Sequence, residues 1–332
     1  MQTRMNIFLT GATGYIGNNL AKKLAEEGHT VHALCRNVKT KVLDHPNIKI
    51  FNGDITDVPS IQTAMKGCEQ VYHLAAFARV WAKDPSTYYR LNVEGTRNVF
   101  DAARNLDIYK IVFTSTAGTL GPSGDHPVRE SDERIGEPFT EYEVSKTQAE
   151  ELCREYCNKY NIHIVIVNPP RVYGPGIITE SNAVTRLVNL YMKGKWKIMP
   201  GDGKRTGSYV YVDDVVNGHI LAMEKGRKGE RYSLAGVNAS YIEFFDLLAE
   251  LTGKKISLIK LPVWAMMTAG NALQLYTKLT GKPPLLTPPW IRKYYYDWSM
   301  SSEKAIQELG YSFIPLEEGL QKTIDWLKNN QQ

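Results

Sequence analysis

Along the first 170 positions, short apolar runs alternate with longer stretches in which apolar residues return every three or four places. Met5 to Thr10 is one such run and stops at a glycine-rich turn, after which Ile16, Leu20 and Leu24 recur at helical spacing through Tyr15 to Glu27. Runs at Thr30 to Cys35, Ile48 to Asn52, Gln70 to Leu74, Lys110 to Ser115 and His163 to Asn168 read as further strands, and the longest helical segments fall at 87–106 and 142–160. Strand and helix in this alternation predict an α/β fold, a doubly wound parallel sheet of the Rossmann kind. IVF at 111–113 and IVIV at 164–167 are apolar at every position, as strands covered on both faces require.

After Pro169-Pro170 the rhythm breaks into loops at Gly174 to Gly176 and Gly201 to Gly207, with shorter helical patterns near 182–193, 241–252 and 316–328. The expected division is a nucleotide-binding unit over 1–170 and a smaller, mainly substrate-binding lobe over 171–332. The strand-like Ser208 to Val212 and the helix starting near Asp213 are expected to return to the first unit, through about 208–225.

Composition narrows the class without naming it. The 332 residues are 43% hydrophobic and 23% charged, the balance of a folded globular chain. Lys and Arg number 40 against 35 Asp and Glu, and a net charge of +5 is too small to point to nucleic acid. Cys35, Cys68, Cys153 and Cys157 form no Cys-x-x-Cys pair, so neither a disulfide framework nor a metal site is expected. No apolar stretch approaches the ~18 residues of a membrane span, and none resembles a secretory leader. The expectation is a cytoplasmic protein.

The turn after the first strand, Thr10-Gly11-Ala12-Thr13-Gly14-Tyr15-Ile16-Gly17, has the chemistry of a phosphate cradle. Glycines let the backbone approach a dinucleotide pyrophosphate, and a helix N-terminus offers it free N–H groups. Two residues separate each pair of glycines, a looser spacing than G-x-G-x-x-G. At the end of the second strand, where a carboxylate would hold the 2′-hydroxyl of NAD, stands Arg36, with Lys39 and Lys41 close in sequence. An Arg fork matches a 2′-phosphate, so NADP(H) is favoured over NAD. Asp54 and Ile55 follow the third strand, where the carboxylate could accept from an adenine amino group or cap the next helix.

Tyr142 and Lys146 stand four apart on one face of a helical segment. A nearby ammonium favours the phenolate; taking a Tyr from about 10 to about 7 needs roughly 4 kcal/mol. Such a Tyr exchanges a proton with a carbonyl or alcohol near neutral pH. The fifth strand ends in Thr114-Ser115-Thr116, at the edge where a doubly wound sheet binds ligands, and either Ser115 or Thr116 could hold the substrate oxygen.

Together with Asn168-Pro169-Pro170-Arg171-Val172-Tyr173-Gly174-Pro175-Gly176, these motifs make the chain resemble the extended short-chain dehydrogenase/reductases over nearly its whole length. The resemblance implies that Tyr142 is the proton donor, that Lys146 binds the nicotinamide ribose and lowers the Tyr pKa, and that Thr116, with Ser115 as competitor, holds the substrate oxygen. It also assigns Gly11, Thr13, Gly14, Tyr15, Ile16, Gly17, Leu74, Ala75, Ala76, Pro169 and Pro170 to the cofactor, and Asn92 to support of the site. Homodimerisation through 87–106 and 142–160 is implied as well.

Within the family two branches compete. Sugar-nucleotide epimerases and dehydratases usually carry an Arg before the Val212-Asp213-Asp214 motif to hold a substrate diphosphate; that position reads Gly207, and Arg205 is out of register. Trp81-Ala82-Lys83-Asp84-Pro85, Tyr109-Lys110-Ile111-Val112-Phe113 and Ser301-Ser302-Glu303-Lys304-Ala305 resemble the dihydroflavonol-reductase-like branch instead. From Leu258 to Trp298 there are seven aromatics, Trp264, Tyr276, Trp290, Tyr294, Tyr295, Tyr296 and Trp298. They suit an apolar substrate pocket, a peripheral lipid contact, or plain core. The expected activity is NADP(H)-dependent reduction of a small-molecule ketone or aldehyde, or oxidation of the alcohol. A nucleotide-sugar epimerase is the first alternative and a non-catalytic NADP sensor the second.

Overall fold

The chain runs, in this computed structural model, through β1 (Asn6–Thr10), α1 (Tyr15–Glu26), β2 (Thr30–Cys35), β3 (Ile48–Asn52), α2 (Val58–Met65), β4 (Gln70–His73), α3 (Ser86–Tyr89), α4 (Gly95–Asn105), β5 (Lys110–Thr114), α5 (Glu141–Lys159) and β6 (His163–Asn168). It continues through β7 (Arg171–Tyr173), α6 (Ala183–Met192), β8 (Ile198–Pro200), β9 (Thr206–Tyr211), α7 (Val212–Lys225), β10 (Arg231–Ser233), β11 (Val237–Ser240), α8 (Tyr241–Thr252), β12 (Ile259–Leu261), α9 (Val263–Thr280), α10 (Pro288–Arg292), α11 (Glu303–Leu309) and α12 (Leu316–Asn329). The structure describes residues 4–39, 41–108, 110–178, 182–284 and 286–330; Tyr109, which opens one of the branch motifs, lies outside them.

Seven parallel strands form the main sheet in the order β10-β6-β5-β4-β1-β2-β3. Strand order reverses between β1 and β4, and the crevice at their carboxyl ends is where such sheets take ligands. Successive side chains point to opposite faces, so Ile7 and Leu9 enter one core while Phe8 enters the other. Val112 parts in the same way from Ile111 and Phe113, and Val165 and Val167 from Ile164 and Ile166. Helix α7 packs against α1, returning the chain to the first core. A third core joins Tyr173, Tyr209, Tyr211, Phe244, Phe245 and Leu320 beneath the smaller sheet β11-β9-β7.

The short elements β7, β8, β11, β12, α10 and α11 fall outside the sequence reading, and three further features depart from it. The edge strand β10 has only three residues, too few for periodicity to reveal. The helical segment predicted over 87–106 is broken by a π-helical stretch at Arg90–Glu94, which widens the helix around Asn92. Helix α9 was unread because its apolar residues follow no buried face: of its 18 residues only Met266, Gly270 and Thr277 are buried. By contrast, α8 has the predicted bounds because Ser240 and Glu243 close a reciprocal capping box and Gly253 ends the helix at φ +64. No helix among the described residues is long and apolar enough to cross a membrane.

Candidate active site

At the end of β1 the backbone turns through Gly11, whose φ of +77 suits glycine and whose added Cβ would lie 2.7 Å from Ala75 N. Gly17 packs onto the same turn, where a Cβ would fall 2.2 Å from Gly11 O. Gly14 N donates to Gly11 O at 2.8 Å, and Gly14 caps α1 without a side-chain hydrogen bond or an acid in the first turn. Behind the turn, Thr10 Oγ1 accepts from Ala75 N at 3.1 Å and meets His73 Nδ1 at 2.6 Å, stitching β1 to β4. Burial pushes His73 down to about 3, so the ring is a neutral brace.

A cavity of about 800 Å³ runs from this turn into the smaller lobe. Gly11, Thr13, Gly14, Tyr15, Ile16, Gly17, Arg36, Asp54, Ile55, Leu74, Ala75 and Ala76 line one part of it. Ser115, Thr116, Tyr142, Pro169 and Pro170 line it as well. A glycine cradle with uncapped, acid-free helix N–H groups fits a dinucleotide pyrophosphate. Arg36 reaches the cavity with its side chain 81% exposed and only a 4.0 Å pairing to Asp54. Lys39 and Lys41 are exposed and absent from the lining. Asp54 does not cap α2, whose cap is Asp57; its Oδ1 accepts from Thr56 N and Thr56 Oγ1 at 2.9 and 2.8 Å.

Thr140 caps α5, accepting from Glu143 N, and sets Tyr142 as the second residue of the helix, in its first turn. Burial raises Tyr142 to about 12; the Thr116 hydroxyl, hydrogen-bonded to it, pulls the other way and the Glu143 charge adds to the rise. Lys146 follows one helical turn further along α5. Its Nζ donates to Thr114 O at 2.7 Å and lies 4.0 Å from the Phe113 ring centre, and burial pushes it down to about 8. Thr116 Oγ1, which accepts from Gly118 N at 3.2 Å, lies near Tyr142, while Ser115 Oγ is buried in the same lining without a partner. Neither Lys146 nor Asn92 lines the cavity. Asn92 accepts from Phe77 N at 2.7 Å and donates to Ser145 Oγ at 2.9 Å, fastening the segment after β4 to α5.

The substrate end holds groups to which the sequence reading gave no role. Glu143, buried beside Tyr142, accepts from Lys293 Nζ at 2.5 Å, Phe139 N at 2.8 Å and Arg134 Nη2 at 3.3 Å. Arg171 also lines the cavity, its guanidinium donating to Tyr209 OH at 3.0 Å and lying against the Tyr209 and Tyr241 rings. Gly207 explains how it fits: a Cβ there would lie 2.1 Å from Arg171 Nη1. The glycine at the expected Arg position therefore makes room for an Arg from the neighbouring strand, whereas Arg205 is held by Asp297 at 2.8 Å. The aromatic stretch divides: Trp290, Tyr294 and Trp298 line the cavity, while Trp264, Tyr276, Tyr295 and Tyr296 are exposed. The signal for Arg171 was present in Asn168 to Gly176, but its pairing with Gly207 appears only when β7 lies beside β9.

This fold and cradle define a nucleotide-binding α/β enzyme, and comparison supplies the family. The chain belongs to the NAD-dependent epimerase/dehydratase family, whose model matches residues 7–235. It is thus an NAD(P)-dependent oxidoreductase of the extended short-chain dehydrogenase/reductase type. It is 29% identical to a putative dihydroflavonol 4-reductase of Synechocystis, over 97% of this chain and 94% of that one. To sterol demethylase protein B of Methylococcus capsulatus it is 33% identical, over 75% of each chain. The crystal structure of UDP-glucose 4-epimerase from Thermotoga maritima with UDP-glucose superposes with a TM-score of 0.82 at 26% identity, covering 99% of this chain and 100% of that one.

Proposed function

We propose that this enzyme reduces the carbonyl group of a small apolar or aromatic substrate with NADPH, or oxidises the corresponding alcohol. The observation that carries this reading is Tyr142 paired with Thr116 between the glycine cradle and a cavity end walled by Trp290, Tyr294 and Trp298. A nicotinamide held by the cradle supplies the hydride; the protein supplies the proton and the geometry. Tyr142 OH donates to the substrate oxygen as negative charge develops there, and Thr116 fixes that oxygen by a hydrogen bond. Lys146 holds the Thr114 carbonyl, keeping the strand end that carries Thr116 in place, and the ribose contact that the resemblance implies would require its ammonium to turn from that carbonyl toward the cavity. Pro169 and Pro170 would border the nicotinamide, and the aromatic wall of Trp290, Tyr294 and Trp298 would exclude water from the reacting carbon.

Arg36 gives the preference for NADPH in this reading. Arg36→Ala is expected to raise KM for NADPH about tenfold or more, the loss of a charge-assisted hydrogen bond, with KM for NADH unchanged. Equal effects on the two would refute the assignment. The pH profile follows from Tyr142. With its pKa raised to about 12, the phenol is protonated at neutral pH, so reduction should hold steady from neutral into alkaline pH and decline only as the phenol ionises. Alcohol oxidation needs the phenolate and should rise over the same range; steady-state rates in both directions check the sign.

The division into a cofactor unit over 1–170, with its return through 208–225, and a substrate lobe over 171–332 belongs to this reading. So does homodimerisation through 87–106 and 142–160, which sedimentation equilibrium tests.

A second reading, nucleotide-sugar epimerase, is favoured by one observation: Arg171 places a cation in the cavity where Gly207 had suggested none. Absorbance at 340 nm with NADPH and a panel of aromatic aldehydes, cyclic ketones, steroids and dihydroflavonols, beside a UDP-sugar incubation analysed for epimers, separates the two. Net NADPH loss supports the reductase. Constant NADPH with an inverted sugar replaces it by the epimerase, and silence in both arms favours the sensor.

A further inference from the structure

Helix α9 has the wrong surface for water. Over its 18 residues, about 27 Å at 1.5 Å per residue, it carries one charge, Lys278. Met266, Gly270 and Thr277 turn inward, and Gly270 lets α9 approach Ile291 of α10 closely enough that a Cβ would lie 2.5 Å from Ile291 Cδ1. The opposite face presents Trp264 at 70%, Leu275 at 61%, Tyr276 at 49% and Leu279 at 79% exposure, continued by Ile259 at 68%. At 100° per residue, Trp264, Leu275 and Leu279 fall within one stripe. Thr268, Asn271 and Lys278 share that stripe, so the face is mixed between Trp264 and Leu275, as on an interfacial helix; single exposed apolar residues are ordinary, whereas several large ones on one helix face mark a contact.

Charge around the stripe identifies the contact. Between Gly253 and Tyr296 the sequence holds seven basic residues and no Asp or Glu. The rest of the chain holds 33 basic and 35 acidic residues, so this segment supplies the whole positive excess. Lys255, Lys260, Lys278 and Lys282 are exposed, and none forms an ion pair with a carboxylate among the described residues. A second copy is a poor occupant, because a two-fold contact would set this all-basic segment against itself with no acid to pair. An anionic lipid surface satisfies both features: the apolar stripe enters the acyl boundary while the lysines meet the headgroups.

We propose that α9 seats this enzyme peripherally on anionic membranes, lying in the interface without crossing it. Because α9 packs on α10, whose Trp290 lines the cavity, the seat brings the substrate end of the cavity close to the lipid, a route for an apolar substrate. The proposal does not depend on which reaction the cavity performs.

Co-sedimentation of the full chain with phosphatidylcholine vesicles, with and without roughly a third phosphatidylglycerol, tests it. Binding is expected only with phosphatidylglycerol, weakening as salt is raised from roughly 0.1 to 0.5 M. The triple variant Trp264→Ser, Leu275→Ser, Leu279→Ser should lose at least about tenfold in partition while keeping wild-type NADPH affinity, which shows that it is folded. Lys278→Glu with Lys282→Glu should weaken binding on the unchanged apolar face. Wild-type protein that stays in the supernatant overturns the proposal. So does a wild-type dimer by light scattering that becomes monomeric in the triple variant, since a second copy would then cover the stripe.

Discussion

Tyr142→Phe should lower kcat for carbonyl reduction about a hundredfold to ten-thousandfold, or about 3–5 kcal/mol of barrier. The ring is retained, so the packing at the start of α5 survives; what disappears is the hydroxyl that engages Thr116. NADPH affinity should stay within about twofold of wild type and the substrate KM should change little, because the lost interaction is one made to the developing alkoxide. Thr116→Val gives the companion result, a smaller fall in kcat with the phenol still present. Stopped-flow absorbance for kcat and nicotinamide fluorescence for affinity separate the effects. A Phe variant that turns over at the wild-type rate would remove Tyr142 from the chemistry and with it the proposed mechanism.

Gly11→Ala is expected to weaken NADPH binding at least about thirtyfold, roughly 2 kcal/mol. Two costs coincide there. A φ of +77 costs an L-residue about 1–2 kcal/mol, and the new Cβ meets Ala75 N at 2.7 Å and Leu74 C at 2.8 Å, backbone atoms that cannot swing aside. The turn must move, taking the N-terminus of α1 away from β4. Gly28→Ala is the control: its φ is +94 but nothing lies within 4 Å of the added Cβ, so it pays the backbone strain alone, away from the cavity. Gly28→Ala should lower thermal stability and leave NADPH affinity unchanged. If both variants bound NADPH equally well, the cradle would not be where the cofactor sits.

The part of this protein that its sequence determined is the part governed by short-range periodicity. Short, mainly apolar runs bounded by turn residues gave β2, β3 and β6 the bounds they have, with β2 buried throughout and β6 along nearly its whole length, and Ser240 with Glu243 fixed the start of α8 by local hydrogen bonds. The glycine turn and the Tyr142–Lys146 spacing were legible for the same reason, each being a local device. The tertiary structure alone decided which groups meet. It set Thr116 rather than Ser115 beside Tyr142, turned Lys146 onto the Thr114 carbonyl, and withheld Lys39 and Lys41 from the cavity. It also brought Arg171 into the space left by Gly207, 36 positions away, through the pairing of β7 with β9. The seven aromatics of one sequence stretch were divided between a cavity wall, the outer face of α9 and the exposed turn after α10, because a side chain's surroundings depend on which element packs against it. Periodicity records the face a residue shares with its neighbours in the chain, and only the packing of distant elements settles what that face touches.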